Sequence, residues 1–219
     1  LVNLPIARFH RFETHFLFQL TDLEYLELGD NRIAKIQNLS HLTKLRRLFL
    51  GANQIRKIEN LEGLDSLIEL SLPGNALQII EGLDTLSGLI SLSLAQNGIR
   101  RIDGLGGLTA MKTLDLNDNI IEKFENIEQI RGVTNFMIRK NKLECWKNLY
   151  ELLKIDNLVA LTLEMNPIYS SDYTYRNRMR QILPEIKLLD GFPTTWIQGD
   201  PYQPMPDGFE EIFNSLSKI

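Results

Sequence analysis

From Leu23 onward, apolar and polar residues follow one phrase, Leu-x-x-Leu-x-Leu-x-x-Asn, with apolar residues at every third position after it. The phrase closes at Asn31, Asn53, Asn75, Asn97, Asn119, Asn141 and Asn166, spaced by 22, 22, 22, 22, 22 and 25 residues. Leu23, Leu26, Leu28, Ile33, Ile36, Leu39 and Leu42 of one unit return as Leu45, Leu48, Leu50, Ile55, Ile58, Leu61 and Leu64 in the next. Later units change the apolar type and keep the spacing, as in Val133, Phe136, Ile138 and Leu143. A unit this short cannot bury its own apolar face, so a fixed period of this length specifies a solenoid of stacked coils. The Leu-x-Leu alternation predicts a short strand with every second side chain inward. The three-residue spacing that follows predicts a tight 3₁₀ or helical return. The expected coil is strand, turn and convex return, with parallel strands at roughly 4.8 Å.

The recurring asparagine stands where each strand turns back and backbone groups are buried without a sheet partner. An amide donates and accepts at once, so a stacked column of them satisfies those groups from coil to coil. This is a structural role, distinct from ligand binding or catalysis.

Two stretches make a family resemblance specific: Ile55-Arg-Lys-Ile-Glu-Asn-Leu-Glu-Gly-Leu64 and Ile99-Arg-Arg-Ile-Asp-Gly-Leu-Gly-Gly-Leu108. They resemble the 22-residue leucine-rich repeats typified by the regulatory subunit of protein phosphatase 1 and by ciliary dynein light chain 1. Asn166-Pro167, Tyr175-Arg176, Leu183-Pro184 and Leu188-Leu-Asp-Gly191 are similar to the C-terminal cap motif of that class. The resemblance covers about residues 20–192. It implies an α/β leucine-rich repeat solenoid with parallel strands on the concave face. It also implies a non-catalytic scaffold or regulatory subunit that grips a partner protein on that face, in a ciliary, cytoskeletal or phosphatase-regulatory setting. The alternative is a targeting domain whose catalytic part lies outside this chain. The expected organisation is a degenerate first coil at 1–22, repeats at 23–165, a cap at 166–192, and a proline-rich linker with an amphipathic helix at 193–219.

Strand positions that face away from the core carry the functional expectation. Three columns, at the third, fifth and seventh positions of each repeat, point outward on the concave face. Their first members include Tyr25, Glu27, Arg47, Phe49 and Glu69. Tyr and Arg are favoured interface anchors, and Phe49 at the centre of a strand is expected to be exposed. The middle of the face is small, with Ser71, Ser93 and Ala95. A second patch gathers Asp115, Asn117, Asn135, Met137 and Arg139. These ten residues are the expected protein-binding site.

Composition narrows the setting. The net charge of −4 gives no reason to expect nucleic acid. No apolar run reaches the length needed to span a bilayer, and no signal segment opens the chain. The single cysteine, Cys145, points to a reducing compartment, hence a cytoplasmic placement, at a cilium or the cytoskeleton in the setting above. The chain is expected to be a monomer by itself. It begins without methionine, and whether upstream repeats or domains belong to it is left open by the sequence. A convex basic row (Lys35, Lys57, Arg101, Lys123, interrupted by Ile79) runs beside an acidic one (Glu59, Glu81, Asp103, Glu125), which reads as a solvated outer surface.

No catalytic constellation is evident. His10, Glu13 and His15 lack the spacing of a metalloprotease site. Neither Cys145 nor His41 has a base and orienter that can be named. Gly104, Gly106 and Gly107 lie in a convex return, not in a phosphate loop. No cofactor or metal is expected.

The flanks complete the reading. Leu1, Leu4 and Ile6 fit the pattern one period back, with Phe9, Phe12 and Phe16 expected to close that end. Repeat six carries three extra residues, and its return, Trp146–Leu153, is expected to form a true helix. Near the other end, Asp207 and Glu210 form a capping box ahead of a stripe of Phe209, Ile212, Phe213 and Leu216. That stripe is expected to land on the cap near Tyr175, Met179 and Ile182.

Overall fold

A computed structural model describes residues 20–169 and 173–195, together with the strand at residues 4–5. The expectations for Phe9, Phe12, Phe16 and for the segment 196–219 fall outside the described residues.

The chain winds into a solenoid around one ten-stranded sheet whose strands follow chain order. The strands are β1 (Leu4–Pro5), β2 (Tyr25–Glu27), β3 (Arg47–Phe49), β4 (Glu69–Ser71), β5 (Ser91–Ser93), β6 (Thr113–Asp115), β7 (Asn135–Met137), β8 (Ala160–Thr162), β9 (Leu188–Leu189) and β10 (Phe192–Pro193). All neighbours pair in parallel except β9 and β10, which form an antiparallel hairpin. Register follows the repeat: Tyr25 pairs with Arg47, Arg47 with Glu69, Glu69 with Ser91, and Ser91 with Thr113. Each three-residue strand buries its central residue and leaves the outer two partly exposed, as the alternation requires. Ala160 departs from this. The alternation puts it on the concave face, yet it is buried, a small side chain beside Leu188 of β9.

The core is one continuous column of Leu and Ile, from Leu23 to Leu189, with no break between coils. Burying each such side chain stabilises by roughly 1.5–3 kcal/mol, and each coil supplies half of the shell that buries its neighbour.

The asparagine ladder forms as the sequence requires. Asn97 Nδ2 donates to the Leu94 and Ala95 carbonyls of its own coil, both at 3.0 Å, and to Leu72 of the preceding coil at 3.0 Å. Its Oδ1 accepts from the Leu77 N–H at 3.0 Å. Asn53, Asn75, Asn119 and Asn141 repeat the same set of bonds one coil apart. The residue just before each ladder asparagine (Asp30, Ala52, Gly74, Gln96, Asp118, Lys140, Met165) is left-handed, with φ between 51° and 64°. Only one of the seven is glycine, so the ladder holds side chains in a conformation they would otherwise avoid.

A second ladder runs along the returns, where the sequence reading singled out no asparagine. Asn60 Nδ2 donates to the Ile36 carbonyl at 2.7 Å, Asn126 to Ile102 at 3.0 Å, and Asn148 to Phe124 at 3.1 Å. The equivalent positions of the intervening coils are Gly82 and Gly104, at φ 69° and 68°. A Cβ there would meet the Ile58 or Ile80 carbonyl oxygen at 2.3 or 2.2 Å, so backbone takes the space that the amide fills elsewhere.

The return of repeat six corrects an expectation. Trp146–Lys154 is a nine-residue 3₁₀ helix, not an α-helix. A 3₁₀ helix advances about 2.0 Å per residue against about 1.5 Å for an α-helix, so the tighter form covers more of the convex arc with the same residues. The α-helix of the described chain, α1 (Tyr173–Ile182), closes the array. Tyr175, Met179 and Ile182 project from it into the core, and the Tyr175 ring meets Trp146 at 6.0 Å and Tyr169 at 5.1 Å. These three side chains, expected to receive the stripe at Phe209 to Leu216, are thus already engaged in the core.

Candidate functional site: the concave face

Strand register brings the ten expected residues together as two groups. Tyr25, Glu27, Arg47, Phe49 and Glu69 adjoin on β2, β3 and β4. Asp115, Asn117, Asn135, Met137 and Arg139 adjoin on β6 and β7 and the turns that follow them. Ser71, Pro73, Ser91 and Ala95 separate the two groups with short side chains.

In the first group the Tyr25 and Phe49 rings lie 5.2 Å apart at 41°. Phe49 is half-buried against Tyr25, so the full exposure expected of it is corrected: the neighbouring strand supplies a packing partner. Glu27 is held from two sides, accepting from the Gly29 N–H at 2.9 Å and from the Tyr25 hydroxyl at 3.4 Å. Burial, reinforced by the Glu27 carboxylate, pushes the Tyr25 phenol up. Arg47 pairs across strands with Glu69 at 3.3 Å and remains more than half exposed. The result is an apolar shelf of two rings rimmed by one cation and two carboxylates.

The second group is a hydrogen-bonded network. Asp115 accepts from the Ser93 hydroxyl at 3.1 Å and from the Asn117 N–H at 3.0 Å. Asn117 in turn accepts from the Arg139 N–H at 2.7 Å, and the Arg139 guanidinium lies 3.9 Å from Glu164. Burial raises the Asp115 carboxyl above the usual range, against the opposing pull of its hydrogen bonds and of Arg139. Met137 sits half-buried on β7, beside Asp115 in the register. Ser93 and Glu164 belong to this network although the sequence reading did not place them in the site. Their positions in the same columns were the available signal.

The convex rows behave as a solvated surface. Lys35 reaches Glu59 at 3.8 Å, Arg101 reaches Glu125 at 2.8 Å, and Lys123 also pairs with Glu125. Among the described residues no group of three His, Cys, Asp or Glu side chains could hold a metal ion. Nor is any described helix long and apolar enough to cross a membrane.

The array closes on a polar cap. Asp190 accepts from the Leu163 and Glu164 N–H groups at 2.6 and 3.1 Å and from the Tyr175 hydroxyl at 2.9 Å. Arg176 donates to the carbonyls of Leu189, Phe192 and Pro193, at 3.1, 3.2 and 2.7 Å. Burial pushes the Tyr175 phenol and the Asp190 carboxyl up and the Arg176 guanidinium down. Asp190, Arg176 and, on the ladder, Asn166 pair backbone groups of the last strands, and the Tyr175 hydroxyl holds the Asp190 carboxylate in place.

Comparison with known proteins agrees with this architecture. Residues 67–194 match a family model described as leucine-rich repeat, and residues 21–63 match one described as two copies of leucine-rich repeats. A leucine-rich repeat protein of Leptospira interrogans superposes with a TM-score of 0.66 at 27% identity, covering 78% of this chain and 44% of that one. An internalin of Listeria monocytogenes gives 0.64 at 23%, covering 78% and 48%. Internalin C2 of the same organism gives 0.52 at 24%, covering 67% and 74%. The chain thus spans less than half the length of the first two. No curated protein matches the sequence.

Proposed function

Because the chain belongs to the leucine-rich repeat family, we propose that it is a non-catalytic scaffold that binds a partner protein on its concave face. Leucine-rich repeats generally mediate protein–protein interaction. The observation that carries the reading here is the Tyr25–Phe49 ring pair. Two aromatic rings on a sheet face of otherwise short or charged side chains have no duty in the core, and such residues anchor interfaces. The Asp115–Asn117–Arg139 network supplies a second, polar anchor in which hydrogen bonds already fix the Asp115 and Asn117 side chains and Glu164 pairs with the Arg139 guanidinium. Preset geometry lowers the ordering cost of association. A partner spanning both groups would cross the smooth centre of the face without steric hindrance.

The finer assignment rests on the repeat wording and on the cap residues. Similarity to the 22-residue class of the phosphatase regulator and ciliary dynein light chain supports a cytoplasmic, monomeric protein working at a cilium or the cytoskeleton, or as a phosphatase regulator. A second reading follows from the span of the chain relative to its structural neighbours. On that reading these repeats are the targeting part of a larger enzyme or signalling protein, and the same face does the targeting.

The test is affinity capture from cell extract with wild type and matched variants. Phe49→Ala and Arg139→Ala should each reduce capture of the same partner at least tenfold, while the convex change Lys57→Ala leaves it intact. Loss of capture from Lys57→Ala with the concave variants unaffected would move the interface to the other face.

A further inference from the structure

Charge on the concave face is not balanced. Among the described residues, its three outward columns hold four carboxylates (Glu27, Glu69, Asp115, Glu164) and two guanidiniums (Arg47, Arg139). Arg47 is engaged by Glu69 at 3.3 Å, and Arg139 faces Glu164 at 3.9 Å. Asp115 is enclosed, with one oxygen accepting from the Asn117 N–H and the other from the Ser93 hydroxyl. Glu27 differs from all three. It is half-exposed, makes no ion pair among the described residues, and accepts only from two neutral donors, the Gly29 N–H and the Tyr25 hydroxyl. A carboxylate offers about four lone-pair sites, so roughly half of the accepting capacity of Glu27 is open.

This carboxylate stands beside two aromatic rings. Glu27 pairs with Phe49 in the register of β2 and β3, strands that lie roughly 4.8 Å apart, and Tyr25 precedes it on the same face. The Tyr25 and Phe49 rings, 5.2 Å apart and tilted by 41°, do not cover each other face to face, and both side chains stay partly exposed. A ring face carries the negative part of the aromatic quadrupole, so its attraction for a cation adds to that of the carboxylate. Glu27 is also preset. A Cβ at Gly29 would meet Glu27 Oε1 at 2.7 Å, so the glycine leaves the space that the carboxylate occupies. Toward β4, Gly51 and Ser71 raise no wall beside the rings. We propose that the Tyr25–Glu27–Phe49 triangle receives a basic side chain, lysine or arginine, of the protein bound on the concave face. The proposal rests on the concave-face reading above and adds the chemistry of the contact. The cation lies against the rings and donates to the open lone pairs of Glu27. Arg47, held by Glu69, does not compete for that carboxylate. Asp115, enclosed by its own hydrogen bonds, offers no equivalent place in the second group.

Selection from a displayed library of random peptides, with the whole chain as bait, tests the contact. Peptides whose binding is lost in Phe49→Ala should share a lysine or arginine at one aligned position. For one such peptide, replacing that residue by glutamine should weaken binding to the wild-type chain by about fivefold or more. Glu27→Gln keeps an oxygen for the Gly29 N–H. It should bind the original and the glutamine peptide alike, at the affinity of the wild type for the glutamine peptide. Phe49→Leu, which keeps apolar bulk without a ring, should weaken the original peptide more than the glutamine one. The residual binding shows that the variants are folded. Neutral or acidic peptides that depend on Phe49 would overturn the cation site while leaving the concave-face reading in place. So would a cationic peptide whose glutamine form loses as much affinity on Glu27→Gln as on the wild type. Selected peptides indifferent to both Phe49→Ala and Arg139→Ala would instead sink the reading on which the proposal rests.

Discussion

At the scale of single residues, one asparagine side chain does the work of several backbone partners. Removing it in Asn97→Ala leaves the Leu77 N–H and the Leu72, Leu94 and Ala95 carbonyls without that amide. The expected loss of unfolding free energy is about 1–3 kcal/mol, read from the urea midpoint at unchanged slope. Asp115 gives a pH signature. Burial raises its folded carboxyl above its unfolded value, so the folded state holds the proton more tightly. The stabilisation is fully present below the unfolded pKa and is lost as pH rises through the raised folded one. Asp115→Asn, which can keep the contacts to Ser93 and Asn117, should therefore raise the melting temperature at pH 7, with the advantage shrinking below pH ~4. An advantage equal at both pH values would remove burial as the cause. The first ladder was legible in the sequence because one residue type fills every rung. The second was not, because Gly82 and Gly104 replace the asparagine in the middle coils: Asn60, Gly82, Gly104 and Asn126 are two solutions to one crowded left-handed turn, while Asn148 makes the same bond from within the 3₁₀ helix.

Among elements, the strands were readable from alternation alone, whereas the returns and the cap were only partly so. An amphipathic stripe at Trp146–Lys154 fits an α- or a 3₁₀-helix, and the choice depends on the arc that the neighbouring coils leave open. Phe49 illustrates the same point for the site. Its column showed that it points outward, but its packing against Tyr25 depends on a register 24 residues away in sequence. Phe49→Ala should accordingly lower stability by about 0.5–1.5 kcal/mol as well as weaken binding, and Lys57→Ala should do neither. In the cap, Arg176→Met removes the donor to three carbonyls of the terminal hairpin. Amides of residues 188–194 should then exchange at least tenfold faster, while those of β3 to β5 keep their protection. Uniform acceleration along the whole chain would instead mean that the cap and the array unfold as one unit.

The whole molecule is a one-dimensional stack in which each coil is stabilised by its two neighbours. Such a design fixes a curved sheet whose outward columns are free to vary, and this chain uses that freedom at two places, around Tyr25–Phe49 and around Asp115–Arg139. The central claim is that these two places bind the partner. Oxidative footprinting of the complex reads it without any substitution. On addition of the captured partner, Tyr25, Phe49 and Met137 should lose most of their labelling, while Tyr150 on the return of repeat six and Ile79 on the convex row keep theirs. Undiminished labelling of Tyr25, Phe49 and Met137 in a saturated complex, with protection at Ile79 or Tyr150, would contradict the account.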